Sequence, residues 1–148
     1  MSTEIEYEQL IRAIGDGVVI ADAAGTITLW NPAAERIFGF SAEEAMGKSL
    51  DLIIPERLRQ RHWDGYDKTM ETGVTKYGSE LLRVPAVHKD GRPLSIAFTV
   101  ALLYSQEHAV TGIAAVIRDD TARFNDERTL RKRVAELEAQ IAGKPAGV

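Results

Sequence analysis

The chain has 148 residues, 45% of them hydrophobic and 27% charged, the size and composition of one globular domain that buries its own core. A net charge of −4 and a pI near 5.4 argue against nucleic acid or anionic lipid as partner. The lack of cysteine excludes disulfides, thiolate zinc sites, iron–sulfur clusters, cysteine nucleophiles and a flavin–cysteinyl adduct.

Residues 3–14 form an amphipathic helix capped by Thr3, with Ile5, Tyr7, Leu10, Ile11 and Ile14 on one side. Gly15-Asp16-Gly17 stops it. Val18 to Ala21 and Ile27 to Trp30 are the strands of a hairpin turning at Ala24-Gly25. Asn31 caps a helix that has Pro32 at its first position and ends at Gly39. Ser41 and Glu44 make a capping box for a short helix ended by Gly47. An apolar link, Leu50 to Ile54, leads to a longer helix from Pro55 to Thr72-Gly73. On it Leu58, His62, Tyr66 and Met70 recur at i, i+4, whereas Arg57, Gln60, Asp64, Asp67, Lys68 and Glu71 lie mostly around the other side. His62 therefore sits on the apolar stripe.

Three longer strands follow: Tyr77–Val87, Leu94–Tyr104 and Val110–Ile117, the first pair turning at Lys89-Asp90-Gly91. On the second strand Leu94, Ile96, Phe98, Val100 and Leu102 share a face. Two short strands, a helical middle and three longer strands predict an α+β fold with an antiparallel sheet. From about Asp120 to Ala142 the chain is helical, and Leu130, Val134, Leu137 and Ile141 step by 4, 3 and 4, with Glu127 and Phe124 extending the seam backwards. This coiled-coil pattern is too short to stand alone, so it predicts dimerisation. Arg131-Lys132-Arg133 shares the helix with Glu127, Glu136 and Glu138 and reads as a solvated face. No apolar run reaches the roughly 18 residues of a membrane span, and Met1-Ser2-Thr3-Glu4 is polar and acidic, so the expected location is cytoplasmic.

These segments, in this order, resemble a PAS domain. The resemblance runs from Ala13 to Arg123 and rests on Ala13-Ile14-Gly15-Asp16-Gly17-Val18-Val19-Ile20-Ala21-Asp22, Gly25-Thr26-Ile27, Trp30 to Ser41, Glu44-Ala45-Met46-Gly47-Lys48, Ile54-Pro55, Lys89-Asp90-Gly91 and Arg118-Asp119-Asp120-Thr121. It implies a five-stranded antiparallel sheet with helices on one face and ligands between the two. It divides the chain into an N-terminal helix (1–14), the PAS domain (15–119), a signalling helix (120–142) and a frayed tail (143–148). Asp119 and Thr121 match the exit motif that couples the last strand to that helix. The middle position, usually apolar in the family, is Asp120 here.

From Arg61 to Gly91 the chain is similar to the haem-binding PAS domain of rhizobial oxygen-sensing histidine kinases. That similarity implies haem b with His62 as proximal ligand and Lys68 and Lys76 at the propionates. Phe98 and Val100 fall on apolar distal positions, and Tyr66 and Ile117 join the cofactor-binding set. Leu82 stands where that family has an arginine holding oxygen. Leucine has no donor, so oxygen is expected to be poorly stabilised, and carbon monoxide or nitric oxide need that donor less.

A neutral imidazole on an apolar helix face is suited to iron, and it is equally what a half-buried histidine bonded to backbone looks like. Trp63 and Tyr66 flank it as cofactor walls or as core. Asp119-Asp120 reads as capping, and no nucleophile elbow, Gly-rich phosphate loop or zinc motif is present, so the chain is not expected to be an enzyme. The expectation is a sensor that forms a homodimer through Leu10, Ile14, Leu130, Val134, Leu137 and Ile141. It would relay a diatomic gas or small-ligand signal to a partner in trans, regulation of transcription among the outputs, or act as a piece of a longer protein. The alternatives are a PAS domain with a small organic ligand or flavin, and a cofactor-free dimerisation and interaction unit.

Overall fold

β-Branched and apolar residues form the hairpin of β1 (Gly17–Asp22) and β2 (Ile27–Trp30). In the computed structural model, which describes residues 4–75 and 80–143, β3 (Leu82–Val87), β4 (Pro93–Tyr104) and β5 (Val110–Asp119) complete the sheet. The order is β2-β1-β5-β4-β3 and every pairing is antiparallel. β5 returns between β1 and β4 and so joins the first hairpin to the last two strands. Pro85 is accommodated because β3 is an edge strand.

Local chemistry sets the helices. Asn31 caps α2 (Pro32–Phe38) by accepting from the Ala34 N–H, and Gly39 closes it at φ +81°. His88 lies where a Gly39 Cβ would project, 2.4 Å from the ring. Ser41 and Glu44 form the reciprocal capping box of α3 (Ala42–Ala45). Phe38 and Ile27 are fully buried, and Trp30 packs against Phe38 at 5.3 Å between ring centroids. Burying each such side chain contributes about 2–3 kcal/mol. Around them Val19, Ala34, Ile53, Leu94, Ile96 and Ile117 close the core between the sheet and the helices on one of its faces.

Several boundaries differ from the sequence reading. α1 spans Tyr7–Ala13, shorter than the expected 3–14, and its N-cap residue Glu6 makes no side-chain cap bond. The expected cap, Thr3, lies outside the described residues. Leu50–Ile53 is a 3-10 turn capped by Ser49, where a plain link was expected. The helix expected from Pro55 begins as a second 3-10 turn, Glu56–Leu58, and becomes α4 at Arg59–Thr72. The Arg59 side chain donates to the carbonyls of Ile54 (3.2 Å) and Asp51 (3.3 Å), anchoring the first α turn to the preceding segment. Tyr77, the expected start of the third strand, also lies outside the described residues. β5 runs two residues beyond Ile117, and α5 covers Thr121–Ala142.

Candidate functional site

α4 carries the stripe as its spacing predicts. Tyr66 is buried and Leu58, His62 and Met70 are half-buried, whereas Arg57, Gln60, Asp64, Asp67, Lys68 and Glu71 are exposed. Polar contacts fix the helix in rotation. The Trp63 indole donates to Asp51 Oδ1 at 2.7 Å, and the Tyr66 hydroxyl donates to the Asp22 carbonyl at the end of β1. The Trp63 ring lies over Gly25, which has φ +84° and where a Cβ would meet the indole at 2.1 Å. The turn of the first hairpin is thus the seat of α4.

His62 is set among aromatic rings. Its centroid is 4.7 Å from Trp63, edge-on, and 5.6 Å from Tyr66. Its Nδ1 is buried and has no hydrogen-bond partner, the only such side-chain atom found among the described residues. Burial pushes the imidazole below the ordinary value of 6.5, against the smaller opposing pull of Asp51 and Asp67. His62 is therefore neutral near pH 7, the form that can coordinate a metal. Burial, with Asp22 and Asp67, also drives the Tyr66 hydroxyl up to about 12, so it stays a donor.

On the sheet, Leu82, Phe98 and Ile117 stand side by side in one cross-strand row. Val100 lies in the next row opposite Ala115, which pairs with Val19. Ile117 is buried, and Leu82, Phe98 and Val100 are half-buried. Phe98 packs against the same core as Ile117. Lys68 is on the exposed side of α4, and Lys76 lies outside the described residues. The structure thus gathers the sheet residues into two adjacent rows and seats His62 and Tyr66 together on α4. The orphaned nitrogen and the neutral, partly desolvated ring fit an axial ligand for a haem iron. Among the described residues no group of three His, Cys, Asp or Glu could hold a bare metal ion.

The base of α5 is tied to β4. The Asp119 carboxylate accepts from the Thr121 N–H at 3.0 Å. Thr121 Oγ1 accepts from the Ser95 N–H at 3.0 Å, and the Asp120 N–H donates to the Ser95 carbonyl at 2.8 Å. Asp120 takes a forked pair of bonds from Arg123 (2.8–2.9 Å) and faces Arg83 of β3 at 3.5 Å. Arg118 of β5 donates to Asp16 at 3.0 Å. Beyond this base α5 buries no residue. Leu130, Val134, Leu137 and Ile141 are 41–71% exposed, Leu10 of α1 is exposed and Ile14 half-buried. No helix among the described residues is long and apolar enough to cross a membrane.

Two features escape the sequence pattern. Asn31 reads as a cap, yet its side chain also accepts from the Val18 N–H and donates to the Ile11 and Asp16 carbonyls. The Asp120–Arg83 contact joins residues 37 positions apart, which no local spacing reveals.

The sequence model of the family described as PAS fold matches residues 5–119. The chain is 29% identical over 136 residues to Sensor protein FixL of Bradyrhizobium diazoefficiens, across 90% of this chain and 26% of that protein. It is 25% identical over 122 residues to Oxygen sensor protein DosP of Escherichia coli, across 82% of this chain and 15% of that protein. The chain spans about a quarter or less of the length of these two relatives. The crystal structure of a PAS domain from Colwellia psychrerythraea shares the fold, with a TM-score of 0.69 at 21% identity over 79% of this chain and 96% of that one.

Proposed function

The chain belongs to the PAS family, and from that premise we propose a sensory, non-catalytic module that carries haem b on His62. It forms a homodimer through its terminal helices and passes the state of the site to a signalling partner through α5. One observation carries the haem reading: the buried, unpartnered Nδ1 of a neutral His62. Among apolar surroundings an unsatisfied ring nitrogen costs about 1–3 kcal/mol, a cost that would be removed only by a partner at Nδ1 itself, such as an iron held by that nitrogen.

In this reading His62 would hold the iron, and Tyr66, Leu82, Phe98, Val100 and Ile117 would supply the apolar walls. Lys68 and Lys76 would be the basic residues for the propionates, as the family resemblance implies. Haem supplies an iron that binds a diatomic gas. The chain's own residues then set selectivity and output. Leu82 offers no hydrogen-bond donor, which disfavours oxygen relative to carbon monoxide or nitric oxide. Ile117 lies two residues before Asp119 on β5; Asp119 accepts from the Thr121 N–H, and Thr121 Oγ1 and the Asp120 N–H bond Ser95 of β4. A shift of β5 against its neighbours therefore reaches α5 through short, directed bonds. A signal also requires the ligand to favour one arrangement over the other.

The second reading is a cofactor-free or small-organic-ligand PAS domain serving dimerisation. The close packing of Trp63 and Tyr66 on His62 favours it, because those rings already give the imidazole apolar neighbours. Visible absorption after one equivalent of hemin separates the two. The haem reading expects a sharp Soret band in the wild-type protein and its loss in His62→Ala. A band indifferent to His62, or none, overturns it in favour of the second reading.

A further inference from the structure

Leu50 to Ile54 reads in the sequence as a plain apolar link, yet its one acidic residue receives two side chains of α4. Asp51 Oδ1 accepts from the Trp63 indole at 2.7 Å and pairs with Arg59 at 3.9 Å, and the Asp51 carbonyl accepts from Arg59 at 3.3 Å. Asp51 is itself held in place. Ser49 Oγ accepts from its backbone N–H at 3.1 Å. The residues before it are zipped to the first hairpin. The Ile27 N–H donates to the Lys48 carbonyl at 2.8 Å, the Gly47 N–H to the Ile27 carbonyl at 2.9 Å, and the Leu50 N–H to the Gly25 carbonyl at 3.0 Å. Gly25 is the residue under the Trp63 ring. The acceptor for the indole N–H and the floor beneath the indole thus belong to one hydrogen-bonded unit, a socket for Trp63.

His62 and Trp63 are successive residues, so their side chains leave the α4 axis about 100° apart. Seating Trp63 in its socket therefore sets the direction that His62 takes. The two rings touch, with centroids 4.7 Å apart and edge-on. Tyr66, one turn further along, donates to the Asp22 carbonyl of the same hairpin and opposes the same rotation. Of the α4 residues only Tyr66 is buried, so apolar packing does little to fix the rotation of this helix and directed bonds decide it.

We propose that Asp51 is the positioning residue of the His62 site: it holds Trp63, and through Trp63 it sets where the buried Nδ1 of His62 is presented. For a haem iron this rests on the haem reading above; for the imidazole itself it does not. What the role needs at position 51 is an acceptor more than a charge, because the indole N–H is a donor only.

Asp51→Leu, Asp51→Asn and Trp63→Phe test it, with far-ultraviolet circular dichroism as the control for folding. The Asp51 side chain is 40% exposed, so its replacement is expected to leave the fold intact, and Trp63→Phe keeps a ring in the socket while losing the donor. The first readout uses the cofactor-free protein. The His62 imidazole C–H signals, assigned by their loss in His62→Gln, are expected to move in Asp51→Leu and Trp63→Phe. They are expected to stay close to the wild-type positions in Asp51→Asn, whose amide oxygen still accepts. The second readout is hemin affinity from the Soret band. It is expected to fall about tenfold in Asp51→Leu and Trp63→Phe and less than about twofold in Asp51→Asn. A wild type with no His62-dependent band overturns the haem reading, and the imidazole signals then judge Asp51 alone. Signals that do not move in Asp51→Leu, or that move equally in Asp51→Asn, overturn the positioning role. An unchanged hemin affinity in Asp51→Leu, beside a His62-dependent band in the wild type, overturns it as well.

Discussion

The Asn31 side chain accepts from the Val18 N–H at 2.8 Å and the Ala34 N–H at 3.0 Å, and donates to the carbonyls of Ile11 and Asp16. It is buried, so one side chain satisfies backbone groups from the end of α1, the start of β1 and the first turn of α2. Replacing it with alanine removes the cap and leaves buried groups without partners. Asn31→Ala is expected to lose roughly 2–3 kcal/mol of unfolding free energy in urea titration, more than an exposed cap substitution costs. Asparagine before proline was legible as a cap. Its longer bonds were not, because they depend on how α1 and β1 are brought together.

At the level of elements, the seat of α4 on the first hairpin is the sharpest packing constraint near the site. Gly25 adopts φ +84° and lies under the Trp63 indole. Gly25→Ala strains the turn and pushes a methyl group into the ring, so it is expected to destabilise by about 2–3 kcal/mol. Because Trp63 neighbours His62, the same variant is expected to alter the near-ultraviolet circular dichroism of the α4 aromatics. An unchanged melting temperature would show that the hairpin turn does not support α4. The i, i+4 stripe on α4 could be read without coordinates, since a helical period maps directly onto one face. Its start could not, because Arg59 reaches back to carbonyls outside the helix and sets where the α turn begins.

For the whole molecule, His62 links folding to pH. Its folded value lies below the unfolded value of 6.5, chiefly through burial. The unfolded chain therefore binds more protons between the two values, and stability rises with pH across that window. This contribution is fully present above about 6.5 and is lost as pH falls through the folded value. Urea unfolding from pH 7.5 to pH 5 is expected to show a smaller loss of stability in His62→Gln than in the wild type. Equal losses would mean that His62 is not desolvated in the folded protein.

The order of strands and helices, the caps at Asn31 and Ser41, the apolar face of α4 and the heptads of α5 were determined by the sequence alone. Each is a local preference: backbone dihedrals, a side chain reaching three residues on, or a period of 2, 3.5 or 3.6 residues. Only the tertiary structure decided that His62 Nδ1 is left without a partner between two aromatic rings. It also decided that Leu82, Phe98 and Ile117 share one row, and that Asp120 is held by cations from β3 and α5. Burial, cross-strand register and most ion pairs here join residues far apart in the chain. Their energies depend on distances that exist only once the sheet has closed, with β5 between β1 and β4.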